Sequence, residues 1–222
     1  MSRCFDKPPI GLVAPSTMRV KIDLAAQPSD PGRMRWLALA IFLSGCGSSS
    51  MADDQAGGDD GSATGEPAEL AGITAAHNQA RAMVDTSGTS GALPPLTWDD
   101  SLAQTAKAWA AQCIDTDGNG LVDHNAGRST GHDFYVGENI YASSGTATGA
   151  GAVSAWAGEA VNYHYDTNTC DTNQVCGHYT QVVWRTTTKL GCALHNCAGL
   201  KYPSTIVCDY GPGGNVNNAR PY

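Results

Sequence analysis

The stretch GHYTQVVWRTTTKLGC, Gly177–Cys192, decides how the chain is read. It sets His178, Tyr179, Thr180 and Gln181 side by side, continues with Val182, Val183 and Trp184, and closes on Gly191 and Cys192. A polar group ahead of an apolar run has two readings. It is either the polar start of a buried helix or a chemical group held at the lip of a core.

Working outward, KLGCALHNC (189–197) and STIVCDYG (204–211) are short, apolar and bounded by turn residues, so both are predicted strands. Upstream, Ile73–Val84 reads as a helix. The segment DDSLAQTAKAWAAQC (99–113) reads as a stronger one, with Leu102, Ala106, Trp109, Ala110 and Cys113 on one face and Asp99 or Asp100 as its cap. Gly151–Tyr163 predicts a third helix with Val153, Trp156, Ala160 and Val161 or Tyr163 as its apolar side, and HYTQVVW opens a fourth. Helices around a small sheet make an α+β domain.

The N-terminal third sets the compartment. MRWLALAIFLSGC (34–46) places an arginine before a short apolar run that ends in Leu43-Ser44-Gly45-Cys46, the layout of a bacterial lipoprotein signal in which Cys46 is acylated. The run is too short for a permanent membrane span. Residues 1–45 are therefore read as the signal region, with the signal proper at about 34–45. Residues 46–69, rich in Gly, Ser and Asp, are read as a flexible tether, and 70–222 as one domain. Gly47, rather than Asp, follows the acylated cysteine, which favours the outer membrane or cell surface over inner-membrane retention.

The whole chain carries 13 Lys and Arg against 21 Asp and Glu, a net charge of −8. That balance excludes nucleic acid as a partner, since phosphate binding needs a basic footprint. Of the 8 cysteines, Cys113, Cys170, Cys176, Cys192, Cys197 and Cys208 follow the anchor. An even set in an exported domain points to disulfides, in any of about fifteen connectivities, and the lack of a CxxC pair argues against a thiolate zinc site.

The segments HNQAR, LTWDDSLAQTAKAWAAQC, DHN, GENIYAS, AVSAWAGEAVNYHY, GHYTQVVWRTTTKLGCALHNC and IVCDYGPGGNVNNARPY, in this order from about Ile73 to Tyr222, resemble the CAP superfamily of cysteine-rich secretory proteins, wasp-venom antigens and plant pathogenesis-related proteins. The resemblance implies a three-layer α-β-α sandwich stabilised by disulfides, paired as Cys113 with Cys197, Cys170 with Cys176 and Cys192 with Cys208. It also implies a central cleft lined by His124, Glu138, Glu159 and His178. Two imidazoles and two carboxylates around one cavity can bind a divalent cation such as zinc, or share protons. Tyr179, Thr180 and Gln181 then become hydrogen-bonding neighbours of His178, while Val182, Val183 and Trp184 enter the core. His77, His132, His164 and His195 have no such match and read as surface or structural. Gly137 and Gly177 read as turn or packing glycines.

Two functions follow from that cleft. One is a lipid-anchored module that binds a lipid, a sterol or an envelope component. The other is a metal-assisted, peptidase-like hydrolase using the same four residues, although no HExxH occurs. The residues alone add a second metal candidate: in DTDGNGLVD, Asp115, Asp117, Asn119, Gly120, Leu121 and Asp123 occupy positions one, three, five, six, seven and nine of a calcium loop. Leu121 would offer its carbonyl, and Ala126 stands where the bidentate glutamate belongs, so Ca2+ is expected to bind weakly, at about 10⁻⁴–10⁻³ M.

Overall fold

The computed structural model describes residues 65–222. Helix α1 spans Ile73–Ala82, α2 Asp100–Ala110, α3 Gly149–Gly158 and α4 Gly177–Val182. Strand β1 spans Thr97–Trp98, β2 Gly137–Ser143, β3 Tyr163–His164, β4 Thr169–Cys170, β5 Lys189–Asn196 and β6 Ser204–Gly211. The main sheet has the order β1-β5-β6-β2, with β5, β6 and β2 antiparallel and β1 added parallel to β5; β3 and β4 form a separate ribbon.

Alternation along the strands makes the layers. On β6, Ile206, Cys208 and Tyr210 join Leu190 and Cys192 of β5 in a core with Ile73 of α1, Val153 and Trp156 of α3, and Val182 of α4. The opposite face of the sheet presents Val207 and Ala193 to Ala106 and Ala110 of α2. The result is the α-β-α sandwich, and burial of these two faces drives it. Three disulfides sew it: Cys113–Cys197, Cys170–Cys176 and Cys192–Cys208.

Local chemistry sets the helix limits. Asp99, not Asp100, caps α2, accepting the Ser101 and Leu102 N–H groups on Oδ1, each at 3.0 Å. Helix α3 starts two residues before its expected Gly151, under a Thr148 cap, and stops at Gly158, where a 3₁₀ turn covers Glu159–Asn162. A turn with three residues per revolution re-phases the side chains. Ala160 and Val161, expected on the apolar side, are therefore exposed, Val161 by 82%. Residues 65–69, expected in the tether, pack on the domain instead: Glu66 accepts the N–H groups of Gly72 (2.6 Å) and Thr74 (2.7 Å), capping the entry to α1. The lipoprotein signal, Cys46 and the rest of the tether lie outside the described residues.

Candidate functional site

Glu159 stands at the junction between α3 and its 3₁₀ turn, aimed at the start of α4. Its Oε2 accepts the backbone N–H groups of His178 and Tyr179, both at 3.1 Å, and its Oε1 accepts His178 Nδ1–H at 2.6 Å. A carboxylate from another element thus satisfies the free amides at the helix N-terminus and fixes the imidazole in one contact set. The His178 ring stacks on Trp156, with centroids 6.3 Å apart and planes 24° apart. The disulfide Cys170–Cys176 ends immediately before this turn.

Glu138 is the second residue of β2, at the sheet edge. Its Oε1 accepts His124 Nδ1–H at 2.7 Å and the Asn125 N–H at 2.9 Å. Its side chain is fully buried, while that of His124 is 58% exposed. Gly137 before it is a close-approach position: a Cβ there would meet Gln181 Oε1 at 2.0 Å. Because a carboxylate only accepts, each imidazole turns an Nδ1–H to its glutamate, and neither Nε2 has a hydrogen-bond partner among the described residues. The four expected residues thus assemble as two His–Glu pairs, in which the glutamates hold the rings. Among the described residues, the sets of three or more metal-ligating side chains whose atoms lie within 4.8 Å are Cys113/His195/Cys197 and Asp115/Asp117/Asp123. The first is a disulfide beside a histidine; neither includes a member of the two pairs.

Neighbours of His178 depart from expectation. Tyr179 shares Glu159 through its amide, but Thr180 bonds to Cys176 and Asn215, and Gln181 is buried between Thr187 and Gly214. Val182, Val183 and Trp184 are core. His77, without a role in the sequence reading beyond structure, is fully buried. Its Nδ1–H donates to Ile73 O (2.8 Å) and its Nε2 accepts from Tyr210 OH (2.9 Å); that oxygen in turn accepts from Asn139 Nδ2, which also donates to His178 O (3.1 Å). Burial pushes the His77 imidazole down to about 4, so it stays neutral. Asn139 and Asp209, the latter opposite Glu138 on β6, escaped the sequence reading. The one signal was an acidic residue inside the apolar strand IVCDYG.

Neither imidazole has a Ser or Thr hydroxyl or a Cys thiol as a hydrogen-bond partner among the described residues. The arrangement can bind and polarise through the two Nε2 atoms, which have no hydrogen-bond partner among the described residues; no nucleophile–base pair is formed there among those residues.

The cysteine-rich secretory protein family, CAP, matches residues 74–210. The chain belongs to this family. The CAP domain is 42% identical over 148 residues to pathogenesis-related protein 1 of Arabidopsis thaliana, covering 66% of this chain and 78% of that protein. It is 38% identical over 148 residues to GLIPR1-like protein 1 of Mus musculus, covering 66% and 60%. Among solved structures, Schistosoma mansoni venom allergen-like protein 4 superposes with a TM-score of 0.53 at 29% identity, covering 71% of this chain and 95% of that one. CAP proteins are in general secreted ligand-binding modules.

The acidic loop of this CAP domain lies directly before His124. Asp115 Oδ1 and Oδ2 accept the N–H groups of Asn119 (3.1 Å) and Gly120 (2.9 Å), and Asp123 Oδ2 accepts the Thr116 N–H at 2.8 Å. Gly120 has a φ of +87°, as position six of such a loop requires. Trp109 of α2 donates its indole N–H to Asp123 O at 2.7 Å, which ties the loop to the helix layer.

Proposed function

We propose that this protein is an exported module, lipid-anchored at Cys46 to the bacterial outer membrane or cell surface, whose cleft between the two His–Glu pairs binds an envelope component or a lipid or sterol. The observation that carries the reading is the matched orientation of His124 and His178: each is held at Nδ1 by a buried or half-buried glutamate, which leaves each Nε2 free. This is the arrangement in which outer-shell carboxylates raise imidazole basicity for a metal. The imidazoles of His124 and His178 would hold zinc, with Glu138 and Glu159 orienting them; zinc there would supply a Lewis-acidic point for an anionic or carbonyl group of the ligand. The Asp115–Asp123 loop is the second cation position, suited by its oxygen donors to calcium.

Calorimetry with zinc tests the cleft. Wild type is expected to bind with an affinity that weakens as pH falls through about 6, because a ligating imidazole must be neutral. The His124→Ala, His178→Ala double variant is expected not to bind; equal affinity in both would remove the cleft as the site. Incorporation of labelled palmitate into wild type but not into Cys46→Ser tests the anchor. Metal-dependent peptide turnover that survives purification and is lost in Glu138→Ala would replace the binding reading with the hydrolase.

A further inference from the structure

The ribbon β3–β4, helix α4 and the segment 215–219 enclose a cavity of about 250 Å³ that none of His124, Glu138, Glu159 and His178 lines. Trp184, just past α4, reaches it from the core. The other tryptophans of the described residues each place the indole N–H on a protein acceptor: Trp98 on Asp100 Oδ1 (2.8 Å), Trp109 on Asp123 O (2.7 Å) and Trp156 on Ile140 O (3.4 Å). Trp184 is only 6% exposed, yet its indole N–H has no hydrogen-bond partner among those residues. A buried indole N–H ordinarily finds one. Its nitrogen is not sealed in by protein, and the indole lines this cavity, so the unmet donor is turned to it. The ring is held there by close packing, since a Cβ on Gly214 would lie 2.5 Å from Trp184 Cγ.

Three asparagines build the facing wall, all with left-handed backbone: Asn168 (φ +51°), Asn215 (φ +58°) and Asn218 (φ +54°). Two of them are fixed. Asn168 accepts Tyr163 O–H at 2.6 Å and donates to Asn218 O at 2.8 Å, while Asn215 bonds with Thr180 Oγ1 at 2.7 Å and donates to Gly177 O at 2.8 Å. Each of these amides keeps a second N–H for a ligand, and the Asn218 amide has no partner among the described residues. The disulfide Cys170–Cys176 stiffens the same wall, and no charged side chain among the described residues lines the cavity. An ion entering it would lose hydration without meeting a counter-charge, and an apolar molecule would leave the amides unpaired. A neutral polyhydroxyl molecule does neither, because each hydroxyl both donates and accepts. We infer that this cavity is a binding site for one ring of a neutral sugar, with Trp184 Nε1–H donating to a sugar oxygen and the three asparagine amides exchanging hydrogen bonds with its hydroxyl groups.

The test is an NMR titration of the full chain, ¹⁵N-labelled and metal-free, so its outcome is separate from that of zinc binding. The probes are glucose, galactose, mannose and N-acetylglucosamine, each taken to tens of millimolar. At least one should shift the Trp184 indole N–H resonance saturably and leave those of Trp98, Trp109 and Trp156 in place. The uronate counterpart of that sugar, which carries a charge, should bind at least about 5-fold more weakly. Trp184→Phe removes the donor and should weaken the sugar about 5–10-fold, read from the backbone amides of the wall. Asn218→Gly removes the free amide and leaves a residue at ease at φ +54°, so it folds even if Trp184→Phe does not; it too should weaken the sugar about 5–10-fold. A Trp184 resonance moved by none of the four sugars would mean that water alone fills the cavity and would overturn the inference. Equal affinity for the uronate, or unchanged affinity in Asn218→Gly, would overturn it as well.

Discussion

The two His–Glu pairs, the halves of the proposed site, hold the same pair of side chains by different means. On the His178 side, Glu159 sits on a 3₁₀ turn, its side chain is 17% exposed, and both oxygens are engaged by α4. On the His124 side, Glu138 sits on a strand, is fully buried, and has an oxygen that faces a second carboxyl group rather than an N–H. One half is therefore built by local helix capping and the other by the low dielectric of the sheet. The same imidazole–carboxylate contact answers to different perturbations in each.

Each half has its own disulfide, and here the expected difference is largest. Cys113–Cys197 closes a separation of 84 residues at the root of the His124 loop, whereas Cys170–Cys176 closes only 6 before His178. Loop-closure entropy assigns about 4–5 kcal/mol to the first and about 2 kcal/mol to the second. Urea unfolding of Cys113→Ser, Cys197→Ser against Cys170→Ser, Cys176→Ser checks the ranking. Equal losses would show that strain or residual structure in the unfolded chain outweighs loop length.

Acid separates the halves next. His77 supports the His178 side through Tyr210 and Asn139, and its folded value near 4 lies below its ordinary 6.5. A base with a depressed folded value gives stability present above 6.5 and lost as pH falls through 4, at about 1.4 kcal/mol per pH unit and about 3 kcal/mol in total. The slope of unfolding free energy between pH 6.5 and 4 should flatten in His77→Gln. An unchanged slope would place the acid sensitivity elsewhere.

The carboxylates themselves give a smaller contrast. Glu159→Gln replaces an acceptor by an amide donor facing either two backbone N–H groups or His178 Nδ1–H, at an expected cost of about 1–3 kcal/mol. In Glu138→Gln the amide oxygen can keep both N–H donors while its NH₂ faces Asp209, so the loss should stay below about 0.5 kcal/mol at pH 8. Chemical unfolding of both variants at that pH decides it; similar losses would remove the distinction between the halves.

How far these halves can be read from sequence follows the same division. Apolar periodicity located α1, α2, β5 and β6 because each turns a continuous face to the core. Strand β2 carries Glu138 and Asn139 inward at its start, so GENIYAS shows no alternation to read. The 3₁₀ turn that aims Glu159 arises where α3 meets the ribbon, a tertiary event absent from the pattern of AVSAWAGEAVNYHY. The four site residues became visible only through family resemblance, and Asp209 became visible only once its strand register was known, since burial and a facing carboxylate are properties of the pairing.

Calcium offers the finest separation, because its loop leads into His124 and has no link of this kind to His178. Asp115, Asp117 and Asp123 bring carboxylate oxygens within 4.8 Å of one another, and backbone N–H groups already hold Asp115 in the bend that a calcium loop uses. Three carboxylates at that spacing repel, so a hard cation should be taken up even without the twelfth-position glutamate, which Ala126 replaces. With a dissociation constant of about 1 mM, 10 mM calcium should raise the melting temperature by about 3–5 °C through mass action. Asp115→Ala, Asp117→Ala should lose the shift. Amide hydrogen exchange then assigns the effect to a half: protection should rise from Cys113 to Asn125 and stay unchanged over Cys176–Val182. Equal melting shifts in wild type and the double variant would rule out the loop as the calcium position, and protection that rose equally around His178 would show that the two halves behave as one unit after all.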